Sequence, residues 1–107
     1  MNPKHILGET ECLRLLAEAG LGRLVFTERA LPSMRPVRYR LAGHVITVDA
    51  DVDGPLAKVV TGTVVAFTAD DLRGPGCTGW SVVALGRASL HDGVLRVDIE
   101  LISGRKF

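Results

Sequence analysis

The stretch GRLVFTERALPSMRPVRYRLAGHVITVD, running from Gly22 to Asp49, decides the fold. Its apolar residues recur with a period of two, the spacing of strands that bury one face. Arg23–Thr27 reads as a strand with Leu24 and Phe26 on one side. Met34–Leu41 reads as the next strand, Ala42-Gly43 as a two-residue turn, and His44–Ala50 as the returning strand. Paired through that turn, Leu41 faces His44, Tyr39 faces Ile46, Arg38 faces Thr47 and Pro36 faces Asp49. Val37, Tyr39, Leu41, Ile46 and Val48 then share an inner face. Arg38, Arg40, Val45, Thr47 and Asp49 share an outer one.

Before this stretch lies one amphipathic helix, Glu9–Ala19. Cys12, Leu15, Leu16 and Ala19 fall on one side, Glu11, Arg14 and Glu18 on the other. Gly8 or Thr10 serves as its N-cap, and Gly20 ends it as a left-handed cap residue. After the stretch, Pro55 suits the first turn of a short helix over Leu56–Val60. Thr63–Ala69 reads as a fourth strand, and Asp70–Gly79, rich in glycine, as a loop. Trp80–Leu90 is a fifth strand. Asp92-Gly93 is a strong hairpin signal. Val94–Ser103 closes the chain with Leu95, Val97, Ile99 and Leu101 inward and Arg96, Asp98 and Glu100 outward. Six strands, one N-terminal helix and one short helix in 107 residues predict a mainly β, six-stranded antiparallel barrel. Closure removes the edges that such strands otherwise expose. The length suits one domain over residues 1–107.

Val64-Val65-Ala66-Phe67 and Val82-Val83-Ala84-Leu85 are apolar on both faces, although the outside of a lone barrel should meet water. A homodimer packed through these strands is the expected cover; the Glu9–Ala19 helix could shield only part of them. Thirteen basic residues against twelve acidic ones give a net charge of +1, and only Arg35, Arg38 and Arg40 cluster. This balance argues against nucleic-acid or anionic-membrane partners. No apolar run follows Lys4, and none approaches the length of a membrane span, so a soluble cytoplasmic protein is expected. Cys12 and Cys77 lack metal-ligand spacing and read as two free thiols.

An ordered set of short pieces carries a family likeness. They are Glu11–Leu16, Gly22–Thr27, Leu31-Pro32, Arg35–Tyr39, Val64–Phe67 before Asp70-Asp71, and Thr78–Ala88. Together they resemble the pyridoxamine 5'-phosphate oxidase-like group of FMN-binding split β-barrels. The resemblance implies a homodimer with two flavin sites at the subunit interface, and hydride transfer between a reduced donor and an acceptor. It implies FMN lying against Met34–Leu41 and His44–Ala50, its phosphate meeting basic residues just after the latter. Arg35, Pro36, Val37, Arg38, Tyr39, Thr47, Val48, Lys58 and Trp80 are the cofactor-binding candidates. Their expected work is binding and orientation rather than acid–base catalysis.

The chain departs from the family pattern in three places. Arg38 stands where many relatives have a neutral polar residue. Asp49, Ala50, Gly54 and Pro55 replace a basic residue, Thr and a Gly/Ser-Lys pair. The long segment before the last strand is replaced by Asp92-Gly93. Asp49, Asp51 and Asp53 would repel a dianionic phosphate, by about 1 kcal/mol or more per close pair. Lys58, one helical turn after Pro55, could partly replace the lost lysine. The alternative expectation is a non-enzymatic dimer that has lost FMN and binds another planar ligand or a protein partner.

Other constellations carry less. Asp49, Asp51, Asp53 and Gly54 resemble the start of a calcium loop, but Val60 and Thr61 stand where its bidentate Glu belongs, so no metal site is expected. Arg38 and Asp49 could form an ion pair across the hairpin. Trp80 suits a core anchor better than a ligand platform. Ser81 lacks a His–Asp pattern, since His5, His44 and His91 lie near a terminus or turns. No base flanks Cys77 to activate it. Ser103-Gly104-Arg105-Lys106 reads equally as a solvated basic tail or as an arm over the partner's pocket.

Overall fold

A computed structural model describes residues 5–48, 54–76 and 78–107. The elements are β1 (Ile6–Leu7), α1 (Glu9–Ala19), β2 (Leu21–Glu28), β3 (Leu31–Ala42), β4 (Val45–Val48), α2 (Gly54–Val60), β5 (Val64–Arg73), β6 (Thr78–His91) and β7 (Val94–Lys106). All strand pairs are antiparallel. The order β7-β4-β3-β2-β5-β6 closes by a β6–β7 pairing into a ring of six strands. The two-residue β1 adds to β7 beyond the point where β4 leaves it. The expected split barrel is therefore present, with one small strand more.

The inner face is a continuous aliphatic core. Leu24, Val37, Tyr39, Ile46, Val48, Val65, Phe67, Val82, Ala84, Ala88, Leu95 and Val97 are all buried. Each large apolar side chain there contributes about 1.5–3 kcal/mol relative to exposure. Tyr39 meets Phe67 edge-on, with ring centroids 4.6 Å apart. α1 closes one end of the barrel with Cys12, Leu15 and Leu16, and α2 lies against β2 and β6. Gly8 is the N-cap of α1, and Gly20 ends it at φ 73°, as the spacing predicts.

Four expectations need correction. The β3–β4 turn is Gly43-His44, not Ala42-Gly43, so Leu41 faces Ile46 and Arg40 faces Thr47. Gly43 takes φ 60° at the first central position, which a type II′ turn reserves for glycine. Partners move by two residues, so the division into inner and outer faces survives. Next, β5 and β6 continue into the expected Asp70–Gly79 loop, pairing Asp71 with Trp80 and Arg73 with Thr78. Third, Leu101 points outward and is 66% exposed. Leu85 pairs with Leu101 but Gly86 pairs with Ile99, so Glu100 is an extra residue in β7 and reverses the alternation beyond it. The close approach at this bulge leaves no room for a side chain, because a Cβ on Gly86 would lie 2.0 Å from the Asp98 carbonyl oxygen. Lastly, Ser103–Lys106 is no solvated tail: it continues β7, and Arg105 pairs with both Ser81 and Ile6.

The β2–β3 connection is tighter than the sequence suggests. Glu28 pairs with Leu31 around Arg29 and Ala30, both at positive φ (52° and 64°). Neither is a residue that favours that region, so no turn signal marks it.

Candidate functional site

The cofactor candidates separate into four places. Val37, Tyr39 and Val48 are buried in the core, with 2–4% exposure. Tyr39 donates its hydroxyl hydrogen to the Leu16 carbonyl, which ties β3 to α1. Burial pushes that phenol up to about 12. Trp80 is half-buried beside α1 and packs on the core, in keeping with an anchoring role. It lines a groove of about 350 Å³ with Leu7, Leu15, Thr78, Lys106 and Phe107.

Arg35 sits at the other end of the barrel. It shares a small cavity of about 80 Å³ with Phe26, Ser33, Pro55, Leu56 and Val59. Its row across the sheet runs through Leu24 and Phe67 to Ala84, four residues along β6 from Trp80. Trp80 and Arg35 therefore lie about 13 Å apart along the strand direction alone. Lys58 is exposed on α2. Asp49, Asp51, Asp53 and Cys77 lie outside the described residues, and with them the expected Arg38–Asp49 pair and calcium-like segment.

The outer face of β3 and β4 holds the remaining candidates, Pro36, Arg38 and Thr47. Arg38 pairs in register with Leu21 and is exposed. Thr47 is half-buried between two neighbours in register, Arg40 on β3 and Arg96 on β7. Directly opposite residues bring their Cβ atoms to roughly 4.5–5.5 Å. The sequence places Arg96 outward on the last strand, but only barrel closure sets it beside Thr47. Asp98 follows on the same face, opposite Val45 and Arg87. This donor set suits a phosphate ester: guanidinium forks and a hydroxyl, presented on rigid strands.

A second outer surface differs in kind. Leu101, Leu85, Ala66, Val25 and Met34 are successive partners across five strands. Leu101, Leu85 and Met34 are 66%, 37% and 52% exposed. Val64 and Val83, 54% and 37% exposed, flank this row. α1 does not shield it, because its buried side chains join the barrel interior.

The family model described as pyridoxamine 5'-phosphate oxidase matches residues 8–94. The chain belongs to the pyridoxamine 5'-phosphate oxidase family. An uncharacterized protein of Mycobacterium tuberculosis, Rv0080, is 43% identical over 88 residues, which is 78% of this chain. The chain spans 58% of that relative's length. The structure of an FAD-binding protein from Mycobacterium smegmatis is similar, with TM-score 0.85, 30% identity, and coverage of 95% of this chain and 96% of the other. An FAD-binding protein from Mesorhizobium loti shares the fold, with TM-score 0.81, 21% identity, and coverage of 95% and 96%. Among the described residues, no helix is long and apolar enough to cross a membrane.

Proposed function

We propose that this member of the pyridoxamine 5'-phosphate oxidase family binds a flavin nucleotide and works as a flavin-dependent oxidoreductase. FMN is the cofactor proposed. The observation that carries the reading is the arginine and threonine face of β3 and β4, on a barrel that matches an FAD-binding protein along 95% of its length. Arg38, Thr47 and the backbone of Pro36 hold and orient the cofactor. Arg35 and Lys58 add positive charge at the α2 end. The buried Val37, Tyr39 and Val48 set the strand geometry behind the pocket rather than touching the ligand. Bound flavin supplies hydride transfer, and the protein supplies orientation and exclusion of water.

The working unit is a homodimer. The Leu101–Met34 row leaves a band of apolar side chains across five strands, and a two-fold axis lets the band cover its own copy. The flavin lies at the resulting seam.

A second reading has one observation in its favour. α2 begins Gly54-Pro55-Leu56 and places its only cation, Lys58, in its last turn. A chain that kept the barrel and lost the flavin would look the same there, and its dimer would bind another planar ligand or a protein. Absorption of the purified protein and fluorescence titration with FMN and FAD separate the two. Flavin absorption, or quenching below tens of micromolar, supports the first; that range corresponds to about −6 kcal/mol or tighter. A colourless protein that quenches neither flavin at those concentrations overturns it.

A further inference from the structure

We infer that Arg96 of β7, acting with Thr47 of β4, is the seat of the flavin's phosphate group. This inference rests on the flavin reading above and names the residue that makes the nucleotide, rather than the bare flavin, the ligand. Three observations lead to it. β4 is bracketed by β3 and β7, so the half-buried Thr47 has Arg96 as its direct neighbour in register. Arg96 is itself half-buried and makes no hydrogen bond or ion pair with its side chain among the described residues. A partly desolvated guanidinium without a counter-ion is an unfinished site, and a phosphate oxyanion completes it through two parallel N–H···O bonds. The Thr47 hydroxyl adds a donor to the same anion.

The place where the family pattern puts the phosphate does not compete. α2 has only seven residues, and Pro55 at its start has no amide hydrogen to give. Arg40, across Thr47 from Arg96, has an interaction of its own and is not needed for the seat. Asp98 is the next outward residue on β7. It stands opposite Arg87 in register, which places a cationic residue across the strand pair from it, and the Arg87 guanidinium donates to the Gly62 carbonyl at 2.6 Å.

The test compares FMN, FAD and riboflavin, which lacks the phosphate, by fluorescence titration of the full chain and of Arg96→Gln. The wild type should prefer FMN and FAD to riboflavin by about tenfold or more, and Arg96→Gln should bring the three affinities together while leaving riboflavin unchanged. Arg96→Lys should retain part of the preference, which a purely structural role would not produce. Should Arg96→Gln fail to fold, Thr47→Val reads the same ratio and should lower it several-fold. An undiminished preference in folded Arg96→Gln, or in folded Thr47→Val where that variant stands in, overturns the inference and leaves the flavin reading standing. A wild type that binds none of the three ligands overturns both.

Discussion

Strands β6 and β4 belong to the same barrel yet differ on their outer faces. β6 buries Val82, Ala84 and Ala88 inside and leaves Val83 and Leu85 half in water outside. β4 buries Ile46 and Val48 inside and shows Thr47 between two arginines outside. The inner faces are alike because closure demands apolar filling of one cavity. The outer faces are under no such demand, so they are free to differ: apolar at β6, polar and cationic at β4.

The comparison breaks first if the inner face of β6 tolerates change. Gly86→Ala puts a methyl group into the Asp98 carbonyl, and the variant should lose about 3 kcal/mol or more of unfolding free energy in a urea titration. A loss under 1 kcal/mol would mean the bulge is loose and the two faces are not independent.

Next in size is the tie between β3 and α1. Folding raises the Tyr39 phenol from 10 to about 12, so the folded state holds its proton where the unfolded chain releases it. Stability from this group is complete below pH 10 and falls as pH rises from 10 through 12, by up to about 2–3 kcal/mol. Tyr39→Phe should abolish this extra loss, read as the difference between the two proteins' urea midpoints across that window. The same variant should cost about 1–3 kcal/mol at neutral pH, because the Leu16 carbonyl loses its donor.

The outer face of β6 sharpens the contrast. Leu85→Asp should change the stability of one chain by less than about 1 kcal/mol, yet halve the mass in sedimentation from two chains to one. A wild-type mass of one chain would refute the dimer. The smallest effect belongs to the exposed Arg23–Asp70 pair, 2.9 Å apart. Arg23→Ala should shift stability by no more than about 1 kcal/mol, and that shift should shrink at high salt.

Much of this was legible along the chain. The period-two pattern of Leu24, Phe26, Val37, Tyr39, Ile46 and Val48 marked the inner face, and all six are buried. Asp92-Gly93 forms the expected turn, with both residues at positive φ. Turns without a glycine signature, such as Arg29-Ala30, were not legible, because the surrounding strands impose that geometry. Nor was the Glu100 bulge, since a run of alternating apolar residues looks the same with or without an unpaired residue opposite. The candidate site was legible only as residue types. Arg35, Arg38 and Trp80 read as one pocket, although they lie at one end, on the outside and at the other end of the barrel.

By itself the sequence determined which side chains face inward, except in β7 beyond its bulge, because alternation is a local property of each strand and survives a shift of register by two but not an extra residue. It also marked the turns that need glycine, Asp92-Gly93 in place and the one at Gly43 to within a residue. Only the tertiary structure decided which strands are neighbours. The partners of Thr47 come from β3 and from β7, far apart in sequence, and hydrogen bonding across a closed ring brings them together. Function depends on such neighbours, since an anion is held by side chains adjacent in space, whatever their order along the chain.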